Sequence, residues 1–256
     1  MRDMLKIAVV TPYYREADPL VLQCHRSVLA QTHPCTHLLV ADGHPKQIFE
    51  TSARVLHVPL PKPNADYGNT PRFIGATLAD SYGFDAITFL DADNWLEPEH
   101  LERMEAAHKR GKTPLVSCKR IFRHLDGSVL RCTERDEDNF THVDANCWLV
   151  TRPAFSLLPI WRIPKPACAL ADRIFLEYAR RERFDITETQ ERTVNYRTKY
   201  PGHYQAAGVP APAGVYTENT LNKGFAYLRS VTGAAEVVAT IGFYPRLGQR
   251  AAGVAA

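Results

Sequence analysis

Ala86-Ile87-Thr88-Phe89-Leu90-Asp91-Ala92-Asp93 is the stretch whose reading decides the fold. Ala86 to Leu90 is short, apolar and partly β-branched, which predicts a buried strand. Two carboxylates with one residue between them follow at once. In an open α/β sheet, ligands bind in the crevice at the carboxyl ends of strands. An Asp-x-Asp there is placed to hold Mg²⁺ or Mn²⁺, both of which favour hard oxygen ligands, and through the cation a diphosphate. The same three residues also read as a turn with an Asx cap.

The segments around it alternate. Lys6 to Thr11 predicts a strand entering the loop Pro12-Tyr13-Tyr14-Arg15. Asp18-Pro19 looks like an N-cap followed by proline at the first helical position, and Leu20, Val21, Cys24 and Val28 supply the helical stripe. His37 to Val40 predicts a second strand, ending at Ala41-Asp42-Gly43, and Val55 to Leu60 a third. Thr70-Pro71 opens another helix, with Phe73, Ile74, Thr77 and Leu78 on one side. Strand and helix thus alternate over about residues 1–95, which implies an α/β fold with a mixed, mainly parallel sheet flanked by helices. The second part, residues 96–205, is less regular. It predicts an exposed helix over Glu97–Arg110 and a hairpin over Leu115–Leu130 turning at Asp126-Gly127. A strand over Cys147–Val150, a helix over Leu170–Arg183 and a late strand over Val194–Tyr200 follow. Residues 206–256 form a C-terminal loop or lid, rich in Ala, Pro and Gly over Ala206–Gly214, with a helical extension and a frayed end at Ala251–Ala256.

Composition bounds the function. The 256 residues are 45% hydrophobic and 23% charged, enough for a substantial core. A net charge of +3 makes no general case for a nucleic-acid partner. Clusters such as Lys119-Arg120 and Arg180-Arg181-Glu182-Arg183 read as solvated faces, with an anionic partner as the alternative. The six cysteines have no C-x-x-C spacing, which argues against a zinc ribbon or a disulfide scaffold and for free thiols in a reducing compartment. Met1 to Lys6 carries no signal-peptide apolar region. No stretch approaches the roughly 18 apolar residues of a membrane span; the longest, Gly233 to Tyr244, contains Glu236. The expectation is a soluble, cytoplasmic protein, with peripheral membrane contact left open.

Six segments, in order over about residues 6–198, resemble the family 2 glycosyltransferases. Val9-Val10-Thr11-Pro12-Tyr13-Tyr14-Arg15 is similar to the opening strand and nucleotide loop. Ser27-Val28-Leu29-Ala30-Gln31-Thr32-His33-Pro34 resembles the S-x-L-x-Q-T-x-P segment. Leu39 to Gly43 resembles the V-V-D-D-G strand end. Asn64 through Ala76, with Gly68 and Arg72, looks like the N-x-G…A-R-N stretch. Asp91-Ala92-Asp93 matches the D-x-D, and Ala171-Asp172 resembles the E-D motif. The resemblance implies a GT-A fold over residues 1–205, with a nucleotide half and an acceptor half. It also implies inverting, metal-dependent transfer of a sugar from a nucleoside-diphosphate sugar to a hydroxyl.

The resemblance further implies roles. Thr11, Pro12, Tyr13 and Arg15 would form the nucleotide loop, although Tyr13 could equally fill the core. Asp42 would contact the base, where a carboxylate accepts the imide N–H of uracil, so a UDP-sugar is favoured; an Asp-Gly turn is the alternative. Arg72, in a helix's first turn, suits a diphosphate, or else pairs with Asp66 or Asp80. Asp91 would contact the ribose or the water shell of Mn²⁺ or Mg²⁺, and Asp93 would ligate the metal. Asp172 is the candidate general base, with Asp144 as a rival and a helix-start carboxylate as the structural alternative. His203 would be a further metal ligand, which suits Mn²⁺, or a solvated loop histidine. Trp95 and Trp148 could line an acceptor pocket, or pack in the core. The chain departs from the pattern at Ala41, His44 and Ala171, where the family has Asp, Ser and Glu. A nucleotidyltransferase would want a glycine-rich basic loop after the first strand, and Pro12 to Glu16 is not one. A degenerate GT-A domain that only binds nucleotide or carbohydrate remains the non-enzymatic reading. The acceptor could be a carbohydrate, a lipid-linked sugar or a protein.

Overall fold

Apolar runs that are β-branched on both faces can only be stable when covered on both faces, and that is where the first strands lie. The structure, a computed structural model, describes residues 4–49, 52–216 and 220–247. Strand β1 (Ile7–Tyr13) is buried throughout. It pairs in parallel with β2 (Cys35–Ala41) and with β4 (Ala86–Phe89), and β3 (Val55–Pro59) pairs in parallel with β2. Helices α1 (Asp18–Leu29) and α2 (Asn69–Ser81) make the crossovers. This half matches the expected alternation.

Beyond β4 come β5 (Trp95–Leu96), α3 (His100–Gly111), β6 (Leu115–Arg123) and α4 (Arg135–Asp138). They are followed by β7 (Trp148–Thr151), α5 (Ala171–Arg181), β8 (Ile186–Arg197) and α6 (Pro201–Ala206). Helices α7 (Thr220–Arg229) and α8 (Val231–Ile241) close the described chain. The eight described strands form one sheet in the order β3-β2-β1-β4-β7-β6-β8-β5. Strand β7 runs antiparallel to both β4 and β6, β5 is antiparallel to β8, and β6 and β8 are parallel.

Several local expectations change: the late strand starts at Ile186 and ends at Arg197, and α3, expected to be exposed, buries Leu101, Met104 and Ala107. The Asp126-Gly127 turn forms, with Gly127 at φ +92 and its N–H on the His124 carbonyl at 3.0 Å. The hairpin beyond it is a single bridge, Arg123 to Val129, because β6 takes its long partner from β8. Asp18 is the first helical residue and not the cap; the cap is Ala17, and the Asp18 carboxylate accepts from Lys46 Nζ at 2.5 Å. Helix α2 starts one residue before Thr70, at Asn69, after Gly68 in the left-handed region. Asp66 satisfies that end, its Oδ2 accepting from Thr70 N–H at 2.9 Å and from the Thr70 hydroxyl at 2.5 Å.

Helix α2 lies tight on the sheet. A Cβ on Gly75 would stand 2.5 Å from Val10 Cγ1 and 3.1 Å from Val40 Cγ2, so only glycine permits this approach. On the other half, Trp148 is fully buried with Phe175 at 5.2 Å, and Trp161 stacks on Phe175 at 5.6 Å. Leu228, Val237, Ile241 and Phe243 of the C-terminal segment belong to the same apolar cluster as the sheet. The predicted fraying of Ala251–Ala256 lies outside the described residues.

Candidate active site

Strand ends at one edge of a parallel sheet point their following loops into a common crevice. Here that crevice is a cavity of about 870 Å³ lined by the ends of β1, β2 and β4, the start of α2, the start of α5 and the segment after β8. Pro12, Tyr13, Asp42, Arg72, Asp91, Asp93, Asp172 and His203 all line it.

Asp91 and Asp93 each meet a cation. Arg72 Nη2 lies 2.6 Å from Asp91 Oδ1, which decides its partner in favour of Asp91 over Asp66 and Asp80. The Arg72 guanidinium is buried, with Trp161 at 4.8 Å beneath it. Asn146 grips Asp91 twice, accepting its N–H at 2.5 Å and donating Nδ2 to Oδ2 at 2.9 Å. Asp91 is pushed up to about 6: burial raises it, Arg72 opposes, and the charges of Asp144 and Asp93 raise it further. Asp93 Oδ2 accepts from Lys199 Nζ at 2.8 Å, and its carbonyl accepts from Arg197 Nη1 at 2.5 Å.

Asp42 is an anchor. Its Oδ1 accepts from the Asn64 N–H and Nδ2, both at 2.8 Å, and its Oδ2 accepts from the Ala65 N–H at 2.8 Å. The carboxylate thereby holds a rim in which Ala65, Tyr67 and Gly68 all take positive φ, a costly conformation for the first two. Of its roughly four lone-pair sites, one is left for a ligand. Tyr13 is almost fully buried, its hydroxyl 2.6 Å from His57 Nε2 and accepting the Lys46 N–H at 2.9 Å.

Thr11 and Arg15 do not reach the cavity. Thr11 is buried behind it, with its hydroxyl 2.8 Å from His37 Nε2. Arg15 is exposed, lies over the Tyr14 ring and donates to His44 Nε2 at 3.2 Å. Trp148 is core, and Trp95 is covered by the guanidiniums of Arg123 and Arg197, so neither lines the cavity.

The other end of the cavity is an ionic cluster. Arg120 is buried between the rings of Phe122 and Tyr196, each at 4.8 Å. It donates Nε to Glu137 at 3.1 Å and Nη1 to Asp144 at 3.1 Å, and Nη2 binds Glu134. Burial raises the Asp144 carboxyl, but the Arg120 charge and the Asn146 donors outweigh it and hold the group below the usual carboxylate range. Asp144 is thus fully engaged, whereas Asp172 stands in the first turn of α5 at the cavity wall with His142 Nε2 3.7 Å from its Oδ2. His203 turns toward this cluster. Its Nδ1 is 2.6 Å from the Thr198 hydroxyl and its Nε2 is 3.7 Å from Glu134 Oε1. Burial, then the Arg120 and His142 charges, push it down to about 4.

Among the described residues no three His, Cys, Asp or Glu side chains are grouped as a metal cluster, and His203 faces Thr198 and Glu134. Two carboxylates suffice for a different kind of site. Mg²⁺-type cations at phosphate sites use one or two carboxylates and complete their shell with substrate phosphates and water. Asp91 and Asp93 fit that arrangement. Lys199, Arg120, Glu134, His142 and Asn146 escaped the sequence reading. Lys199 meets Asp93 across 106 positions, and nothing in its neighbourhood marks it.

A mixed, mainly parallel sheet with paired acids at a central strand end has the GT-A-like architecture of glycosyltransferases. The profile of the family described as "Glycosyl transferase family 2" matches residues 8–139, just over half the chain, and the chain belongs to that family. No curated protein matches it significantly. Among solved structures, S. aureus TarS 1-349 in complex with UDP-GlcNAc aligns with a TM-score of 0.63 at 14% identity, over 92% of this chain and 67% of that one. The same fragment in complex with UDP aligns with a TM-score of 0.59 at 14% identity, over 79% and 63%. The longer S. aureus TarS structure gives a TM-score of 0.58 at 15% identity, over 79% and 38%. The chain thus spans less than two thirds of the UDP-bound fragment's length. These likenesses show the fold. Among the described residues no helix is long and apolar enough to cross a membrane.

Proposed function

We propose that this chain transfers a sugar from a nucleoside-diphosphate donor, a UDP-sugar, to an acceptor hydroxyl with inversion at the anomeric carbon. One observation carries the reading. A single cavity joins two cation–carboxylate pairs, Arg72 with Asp91 and Lys199 with Asp93, to a further carboxylate, Asp172, at its wall.

The nucleotide would enter along Pro12, Tyr13 and Asp42, the last accepting the uracil imide N–H with its remaining lone pair. The UDP and UDP-GlcNAc complexes of TarS support a nucleotide-sugar donor. Arg72 and Lys199 place guanidinium and ammonium donors where charge grows on the departing diphosphate. Asp93, with Asp91, would hold Mn²⁺ or Mg²⁺, which supplies further neutralisation of that charge. Asp172 accepts the proton of the acceptor hydroxyl as the oxygen attacks from the face opposite the leaving group. Tyr67, Tyr200 and Tyr216 line the cavity and offer aromatic faces to an acceptor sugar, free, lipid-linked or on a protein. All six cysteines are free, which supports a reducing, cytoplasmic location.

The test is thermal stability with UDP or GDP, each with and without Mn²⁺, since a ligand of the folded state raises stability by mass action. UDP with Mn²⁺ should give the largest rise. An equal or larger rise with GDP removes the uridine assignment. No rise with any nucleotide removes the donor site. Mn²⁺-dependent hydrolysis of UDP-GlcNAc or another UDP-sugar then separates an enzyme from a binding module.

A further inference from the structure

The carboxylate assigned as base lacks a neighbour that its family pattern would supply: the residue before Asp172 is Ala171, whose side chain has no polar atom. A carboxylate in an open cavity rotates unless something holds it, and a base must keep an oxygen within hydrogen-bond reach of the hydroxyl. The segment between β6 and β7 brings a residue to this spot. His142 Nε2 is 3.7 Å from Asp172 Oδ2, and its Nδ1 is 3.6 Å from Glu134 Oε1. The imidazole is buried apart from 14% of its side chain, and its Nδ1 makes no hydrogen bond.

The far side of this pair is rigid. Glu134 is bound by Arg120, which is itself held by Glu137 and Asp144 and clamped between two rings. Hence a chain of contacts runs from a buried, over-determined arginine through Glu134 and His142 to a carboxylate at the cavity wall.

We propose that His142 is the positioning residue of Asp172. Donating from Nε2 toward Oδ2, it fixes the carboxyl plane and leaves Oδ1 to receive the acceptor proton. Glu134 in turn sets the imidazole ring, as carboxylate partners do for metal-bound histidines. The 3.7 Å separation is an ion-pair distance; contacts of this kind are often long without substrate and shorten in the reacting complex. The inference rests on Asp172 being the base, and it places the support that position 171 does not give in a separate loop.

The experiment compares the full chain with His142→Ala, His142→Gln and Asp172→Asn. UDP release from UDP-GlcNAc with Mn²⁺ is the readout, with melting curves in UDP and Mn²⁺ to monitor folding. Loss of a partner that orients a metal-bound histidine typically costs about 10–100-fold, and a cost of that order is expected here. His142→Ala should lose that much in kcat with the donor KM within about 2-fold, the pattern of an interaction made only in the transition state. His142→Gln keeps one donor and should recover most of the loss. Asp172→Asn should fall about 10²–10⁴-fold. If Asp172→Asn is impaired while both His142 variants turn over normally, the positioning role is wrong and the base stands. If His142→Gln is as impaired as His142→Ala, and KM and melting point move with kcat, the residue is only structural and the proposal fails. If Asp172→Asn is itself near normal, the base assignment fails, and the positioning role with it.

Discussion

Replacing Arg120 with methionine tests the ionic cluster at the floor of the acceptor side. Methionine keeps the length and the contact with Phe122 and Tyr196 and deletes one positive charge. Three carboxylates then face one another without it: Glu134, Glu137 and Asp144, the last two almost fully buried. Breaking a buried ion pair by removing one partner costs about 3–5 kcal/mol. The two cation–π contacts add about 1–2 kcal/mol, partly offset because arginine no longer has to be desolvated. A net loss of about 4 kcal/mol is expected. At roughly 2–4 °C per kcal/mol for a chain of this size, the melting point falls by about 8–16 °C. Urea unfolding followed by fluorescence of the buried Trp148 and Trp161 reads the loss directly. The pH dependence is a second signature. Arg120 outweighs burial and keeps the Asp144 carboxyl low, so the stability it confers is present at neutral pH and is lost as pH falls through that depressed value. In the variant the Asp144 carboxyl takes up its proton sooner, and the difference between the proteins shrinks toward pH 4. A loss below about 1 kcal/mol at pH 7, or one equally large at pH 7 and pH 4, would refute the reasoning.

Other expectations follow from the same geometry. Asp93→Ala should remove the Mn²⁺-dependent thermal shift with UDP while lowering the ligand-free stability by only about 1 kcal/mol, through loss of the partly exposed ion pair with Lys199; a full shift in the variant overturns the metal assignment. That shift in the unsubstituted chain should weaken as pH drops through about 6, where Asp91 gains a proton, and calorimetry across pH 5–8 reads it. Asp172→Asn should spare UDP affinity measured by the same titration, and NMR of the transfer product should show inverted configuration in the unsubstituted enzyme. His203 titrates near 4 against 6.5 in the unfolded chain, so stability falls as pH drops from 6.5 toward 4. At 1.36 kcal/mol per unit the full effect is about 3 kcal/mol. His203→Gln should flatten that part of the pH–stability curve, and a slope identical to that of the unsubstituted chain contradicts the buried, neutral imidazole.

The nucleotide half was legible because its signals are local. An apolar run, a helix-opening proline and a strand-end carboxylate each mark themselves within eight residues, and β1, α2 and β4 lie where those signals put them. Partner choice was not local. Arg72 had two carboxylates within reach along the chain, Asp66 and Asp80, and only the pairing of β4 beside β1 brings Asp91 to it. Thr11 belongs to the right strand, but its hydroxyl is taken by His37, a partner 26 positions away that chain order does not reveal. The strand of Leu115–Arg123 looked complete as half of a hairpin, because β8 lies more than sixty residues further on. Lys199 and His142 were invisible for the same reason: each acquires its meaning from a carboxylate that chain order keeps far away. The charged run Lys119-Arg120 misled outright. Charge predicts solvent, and Arg120 instead fills a buried niche because three carboxylates line it.

The close approach of α2 to the sheet at Gly75 makes the depth of the donor cavity depend on an atom that is not there. Arg72 lies one helical turn before Gly75, so anything that lifts the helix lifts its guanidinium from Asp91. A single methyl at position 75 would therefore act as a spacer beneath the cavity, touching no ligand and altering no charge. Anyone reshaping this cavity for another donor would search its walls first, yet the dimension most sensitive to change is set from below, by the only side chain that adds no thickness.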